Sequence, residues 1–137
     1  MKIPMAFLAD EANISQEGKL NVLGVFDRIG AGAFPVVHPR MVFAFRVQAE
    51  YADSGQRFPV QVRLLDEDGA VLFEANGEIA APIVPPGEFM TANQVFTLVG
   101  AQFARPGIYK FVVTMGGVEA HETPFLVSTP PREATVN

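Results

Sequence analysis

The chain has 137 residues, which is enough for one domain and too few for a catalytic domain joined to a separate cofactor domain. Hydrophobic residues make up 49% and charged residues 18%, a composition that excludes disorder for the bulk of the chain. The net charge of −5, with basic residues scattered singly, argues against binding to nucleic acid or to anionic membrane surfaces. The absence of cysteine excludes disulfides and thiolate metal sites.

The frequent Gly and Pro residues, 12 and 11 in number, predict short strands joined by turns and no long helix. Alternating apolar and polar residues predict eight strands. In chain order these are residues 3–9, 20–28, 41–51, 58–66, 71–79, 95–103, 108–115 and 118–127. The sequence therefore predicts an all-β domain over residues 1–127, followed by a flexible tail over residues 128–137.

The first predicted strand superficially resembles a signal peptide, but Pro4 interrupts its short apolar stretch and Asp10 and Glu11 end it. We therefore expect a cytoplasmic protein, and no apolar run is long enough to span a bilayer. Residues 30–40 are predicted to form a loop that leads into the strand 41–51. That strand should have one buried face and one face that becomes increasingly wet along its length.

The strands 58–66 and 71–79 are predicted to form an antiparallel hairpin closed at Gly69. The Pro-rich residues 80–88 then form a crossing loop, because proline lacks the backbone donor that a sheet interior needs. Residues 95–103 are apolar on both faces, which is typical of a central strand covered on both sides or of an interface strand. Gly116 and Gly117 suit a tight turn into the last strand, which Pro124 marks as an edge or as broken near its end.

Eight short strands separated by turn signals indicate a two-sheet β-sandwich, with a small barrel as the alternative. The stretch Phe103-Ala104-Arg105-Pro106-Gly107-Ile108-Tyr109 resembles the corner of immunoglobulin-like domains. In that corner a tyrosine hydroxyl forms a hydrogen bond with the backbone upstream of it. The resemblance implies an immunoglobulin-like β-sandwich of about seven or eight antiparallel strands. The strand at 20–28 would be its first, and the strand at 3–9 an extra N-terminal one.

The first forty residues resemble a narrower group. Lys2-Ile3-Pro4, Phe7-Leu8-Ala9-Asp10, the stretch from Ser15 to Asn21, Gly24-Val25-Phe26-Asp27, Phe34-Pro35 and His38-Pro39 carry this resemblance, which continues to Leu64-Leu65-Asp66-Glu67-Asp68-Gly69. They are similar to a family of small, uncharacterised bacterial proteins without an established activity. The resemblance implies a single domain of bacterial origin and supplies no site residues.

Candidate chemistry is sparse in this chain. His38 and His121 are 83 residues apart and form no local metal-binding motif. The run Asp66-Glu67-Asp68 offers fewer oxygen ligands than a calcium loop usually does, so a solvated hairpin tip is the simpler interpretation. We expect no enzyme activity, no catalytic or metal residues and no cofactor. A hydrolase that uses a carboxylate pair or a metal ranks last among the functions considered.

Surplus apolar residues in two loops and one strand point instead to association, because exposed apolar patches usually mark interaction sites. The same loops could also simply cap the ends of the domain. The candidate interaction residues are Phe34, Val36, Val37, Ile83, Val84, Phe96 and Leu98. The sequence thus predicts a non-catalytic interaction or structural module that binds a protein partner or itself as a homo-oligomer. The alternative is a module that binds a small molecule or carbohydrate through loops at one end, with Asp10, Asp27, His38 and Tyr51 as candidates.

Overall fold

The computed structural model describes residues 1–129, and the predicted tail lies outside them from residue 130 onward. The described residues form nine strands, β1 (Lys2–Ile14), β2 (Leu20–Val25), β3 (Arg28–Gly30), β4 (Val36–Glu50), β5 (Arg57–Leu65), β6 (Val71–Ala80), β7 (Phe89–Phe103), β8 (Gly107–Met115) and β9 (Val118–Ser128). One turn of 3-10 helix, Tyr51–Asp53, follows β4. The prediction of an all-β chain is confirmed.

The strands form two sheets. The first has the order β2-β1-β4-β7 and the second has the order β3-β9-β8-β5-β6. Neighbouring strands are antiparallel except for β3, which runs parallel to β9. Pro124 pairs with Lys110 of β8 on one side, whereas β3 reaches only Leu126–Ser128 on the other. Pro124 therefore lies where β9 is locally an edge, as its missing donor requires.

Aromatic side chains from both sheets meet in one core. Phe43 of β4 stacks on Phe111 of β8 with ring centroids 4.5 Å apart. Phe103 of β7 meets Tyr109 of β8 edge-on at 4.8 Å. All four side chains are buried, and offset or edge-on aromatic pairs add to the free energy gained from burial alone. The two sheets are thus held face to face by ring contacts.

The second face of β4 is also covered. Val42 and Ala44 alternate with the core residues of β4, yet both are fully buried. The side-chain amide of Asn93 in β7 donates to the backbone carbonyl of Gly18 at 2.9 Å. The turn between β1 and β2 therefore reaches across the first sheet to β7. The prediction that this face becomes increasingly exposed along the strand is confirmed, since it is buried at Val42 and Ala44, where the β1–β2 hairpin covers it, and exposed at Glu50.

Several strand bounds and positions differ from those predicted. β1 continues to Ile14, and β4 begins at Val36 inside the predicted loop 30–40. β7 begins at Phe89 and forms an edge, so the central position considered for residues 95–103 is wrong. β4 lies between β1 and β7, and β2 lies beyond β1 at the edge, whereas the resemblance implied that β1 is an extra strand. Periodicity identifies a strand but does not state its neighbours.

No helix within residues 1–129 is long and apolar enough to cross a membrane. The compartment of the protein stays a prediction.

Candidate functional site

The four sheet edges differ in how they are protected against pairing with another chain. An exposed edge presents unpaired backbone groups, and proteins protect it by keeping it short or by placing charges or proline on it. β2 has six residues and β3 has three, while the longer β6 carries Glu74 and Glu78. β7 has 15 residues, Phe-Met-Thr-Ala-Asn-Gln-Val-Phe-Thr-Leu-Val-Gly-Ala-Gln-Phe, with neither a charged residue nor a proline. It is the least protected edge among the described strands.

A cleft of about 410 Å³ lies beside this edge, between β7 and the edge strand β6 of the other sheet. Leu64, Leu72 and Phe73 form one wall, and β7 residues 97–102 form the other. The cleft is there because neither sheet continues past these strands and no described segment closes the gap. Its groups are apolar side chains, one hydroxyl, one amide and backbone, which suit recognition by burial and hydrogen bonding.

Two large apolar side chains stand out on the solvent-facing side of β7. Phe89 is 63% exposed and Val99 is 77% exposed. They are ten residues apart and therefore on the same face of the strand, opposite to Leu98, which is buried in the core. Gly100 has a φ of +70°, a conformation that favours glycine, so the regular extended part of this edge is Phe89–Val99.

The predicted interaction residues do not form one surface. Val84 is 1% exposed and packs with Ala49 and Ala81, and Leu98 is buried in the main core. Phe34, Val36 and Phe96 are partly buried against that core. Only Val37 and Ile83 are exposed, and they lie in β4 and in the β6–β7 loop respectively. Val84 and Leu98 cannot touch a partner in this conformation, so a charged substitution at either position would test folding rather than association.

Sequence reasoning missed Phe89 and Val99. The signal for Val99 was present, because residues 95–103 are apolar on both faces and the candidates were taken from one face only. The apolar loop 80–88 was also recognised, but it caps the domain. The Ser54 hydroxyl donates to the carbonyl of Val84 at 3.1 Å and accepts from its amide at 2.9 Å.

The residues considered for a small-molecule site are divided between the two ends of β4. Asp10 and His38 line a shallow recess of about 240 Å³ with Phe26 and Arg28, and Asp27 lies next to them in the chain. Tyr51 follows the other end of β4, 13 residues beyond His38, or roughly 40 Å along an extended strand. The structure therefore does not bring these four residues together at one end of the domain.

The acidic tip at Asp66-Glu67-Asp68 is occupied by contacts within the protein. Asp68 forms an ion pair with Arg105, and Asp66 accepts from the amides of Asp68 and Ala70, each at 2.9 Å. Glu67 accepts from the amide of Ile108 at 3.2 Å. Within residues 1–129 no group of three His, Asp or Glu side chains is placed to hold a metal ion. The tip ties the β5–β6 hairpin to the chain that enters β8.

The turn after β4 has its own electrostatic contacts. The carboxylate of Asp53 accepts from the backbone amide of Glu50 at 2.8 Å and from the amino group of Met1 at 3.0 Å. The hydrogen bond from Glu50 lowers the pKa of Asp53 most, partial burial raises it, and the Met1 amine lowers it further. The net pKa is below the ordinary value, so this carboxylate stays charged and stabilises the turn.

Comparison with protein families gives a family for this chain but no activity. Residues 4–128 match the model of a family of unknown function, DUF6941. The chain belongs to this family. The match covers nearly the whole described chain, as the resemblance of the first forty residues and of Leu64–Gly69 led us to expect.

Comparison with curated proteins gives no match. Among solved structures, the chain is similar to a β-glucuronidase from glycoside hydrolase family 2, with 16% identity and a TM-score of 0.42 over 69% of this chain and 11% of the other. It is also similar to the Pseudomonas fluorescens alkylpurine DNA glycosylase AlkC bound to DNA with an abasic site analogue, with 12% identity and a TM-score of 0.45 over 90% of this chain and 30% of the other. The chain thus spans a small part of either structure.

Proposed function

We propose that the protein is a non-catalytic interaction module that binds an extended segment along the edge of β7. The observation that carries this proposal is the edge itself, 15 residues long without a charge or a proline. Such an edge accepts another strand because its outward backbone donors and acceptors lack partners within the sheet.

The cleft between β6 and β7 supplies a basis for specificity. In strand addition, backbone hydrogen bonds provide affinity and pockets for alternate side chains provide selectivity. A segment paired with β7 would direct every second side chain toward the cleft wall formed by Leu72 and Phe73. Apolar side chains at those alternate positions would therefore be favoured.

We also propose that the two sheets form an immunoglobulin-like sandwich. The order β9-β8-β5-β6 faces β1-β4-β7, and the hydroxyl of Tyr109 donates to the carbonyl of Arg105 at 2.6 Å, as in the tyrosine corner of that fold. Domains of this superfold serve many functions, so the interaction role depends on the β7 edge and not on the fold.

Selection of displayed extended peptides would test the interaction role, with Val99→Lys and Leu23→Lys as a matched pair of variants. Val99 is 77% exposed at the β7 edge, and Leu23 is 72% exposed in β2, at the opposite edge of the same sheet. A lysine at position 99 places a charge where a strand would be added, so we expect selected peptides to lose about tenfold or more in affinity. The Leu23→Lys variant should bind them like the unaltered protein.

The proposal is wrong if peptides bind all three proteins equally, or if Leu23→Lys is the variant that loses binding. Far-UV circular dichroism and thermal unfolding confirm that each variant is folded before its affinity is compared.

A further inference from the structure

We infer that the segment that pairs with β7 is the β7 strand of a second copy, aligned antiparallel so that Phe89 of each chain lies opposite Val99 of the other. This inference rests on the proposed function, because it names the occupant of the same edge. It predicts a dimer with two-fold symmetry in which the first sheets of both copies join into one sheet of eight strands.

The register follows from the limits of the regular edge. The left-handed Gly100 ends it on one side, and Gly87, with a φ of +78°, follows Pro85 and Pro86 just before its start. An antiparallel pair that uses all of Phe89–Val99 in both copies sets Gln94 opposite its own symmetry mate. Pairs of this kind place their side chains on the same face of the joined sheet.

The apolar pattern of the edge is complementary to itself in this register. Phe89 and Val99 are mostly exposed in the single chain and lie on the same face of β7. The antiparallel pair brings each against the other at 4.5–5.5 Å between Cβ atoms, about the spacing of direct cross-strand neighbours. Two-fold symmetry makes this contact twice, as an interface formed by the same patch on both copies requires.

The charge at the start of the edge also favours the antiparallel direction. Glu88 immediately precedes β7 and forms no ion pair within residues 1–129. The antiparallel dimer places the two Glu88 carboxylates at opposite ends of the interface. A parallel pair would instead place the two Glu88 carboxylates side by side.

The neutral composition of β7 removes the usual barrier to self-pairing. The chain carries a net charge of −5, so most of its surface repels a second copy. β7 itself adds nothing to this repulsion, because none of the side chains from Phe89 to Phe103 is ionisable. The eleven paired residues would make about eleven new backbone hydrogen bonds along an antiparallel ladder.

Light scattering and sedimentation equilibrium of the full chain over a concentration series test the dimer. We expect a mass of twice 14.8 kDa for the unaltered protein and for Leu23→Lys. Val99→Lys should raise the dissociation constant about tenfold or more, since it places two unpaired charges against Phe89 in the interface. Concentration-independent monomers of the unaltered protein would overturn the inference, as would a dimer that Val99→Lys leaves intact.

Disulfide formation tests the register separately, because the native chain has no cysteine. The variants Phe89→Cys and Val99→Cys are prepared apart and then mixed under mild oxidation. The register predicts a cross-linked dimer only in the mixture, since two copies of the same variant hold their thiols roughly 34 Å apart. Cross-linking of either variant alone, or none in the mixture, would overturn the register even if the protein is a dimer.

The outcomes separate this inference from the proposed function. A monomer that still binds selected peptides, and loses them with Val99→Lys, overturns the second copy as the occupant and supports strand addition. A monomer whose peptide binding is indifferent to Val99→Lys overturns both.

Discussion

The hydroxyl of Tyr109 is a residue whose contribution to stability can be isolated. It donates to the carbonyl of Arg105 at 2.6 Å, and its ring is buried against Phe103. Tyr109→Phe keeps the ring and removes the donor, so we expect a loss of about 1–2 kcal/mol in the free energy of unfolding. Urea denaturation measures it. The control is Tyr51→Phe, because Tyr51 is 60% exposed and its hydroxyl has no hydrogen bond within the described residues. Equal losses in both variants would contradict the role of the corner.

Residue patterns predicted the corner but not the exposed side chains of the edge. The resemblance of the stretch from Phe103 to Tyr109 to a known corner implied a hydrogen bond from the Tyr109 hydroxyl to the upstream backbone, and this bond is present. For Val99, the sequence indicated an apolar position but not the face on which it lies. Leu98 and Val99 are both apolar, and only the pairing of β7 with β4 decides which of them enters the core.

At the scale of the element, the hairpin of β1 and β2 depends on one glycine. Gly24 has a φ of +73°, and a Cβ atom there would lie 2.5 Å from a carboxylate oxygen of Asp10. We expect Gly24→Ala to lower the free energy of unfolding by about 1–3 kcal/mol, chiefly from backbone strain at the positive φ, because the exposed Asp10 carboxylate can rotate away. Gly77→Ala is the matched control in edge strand β6, since its φ is not positive and nothing lies within 4 Å of the added atom. Thermal unfolding compares the two, and a tolerated Gly24→Ala would contradict the prediction.

Strand positions were largely predictable, whereas strand neighbours were not. The predicted hairpin of β5 and β6 was correct because Gly69 and the alternating residues are adjacent in sequence. The predicted start of β4 is too late because Pro39 is typical of a loop. The strand tolerates this proline because Pro39 lies opposite Gly100, where β7 departs from the regular extended conformation. The pairing of β4 with β7 joins segments about fifty residues apart. The alternation of apolar and polar residues within either strand does not indicate which strand it pairs with.

At the scale of the whole molecule, the shared core predicts that both sheets unfold together. Buried residues of both sheets belong to one cluster that includes Phe43, Phe103, Phe111 and Phe125. The chain has two tyrosines and no tryptophan, so Tyr51→Phe leaves Tyr109 as the fluorescent probe and Tyr109→Phe leaves Tyr51. Within each variant, we expect the fluorescence midpoint in urea to coincide with that from far-UV circular dichroism. Separate midpoints in Tyr109→Phe, where Tyr51 is the probe, would show that the turn after β4 unfolds apart from the core.

The left-handed Gly100 also sets an upper limit on the length of whatever lies along β7. Eleven extended residues precede it, which corresponds to about 37 Å of strand. A longer segment would have to bend away from β7 at Gly100. A shorter segment would leave either Phe89 or Val99 exposed. Extending or shortening the regular edge by moving the glycine along β7 would therefore change the length of segment that the protein prefers.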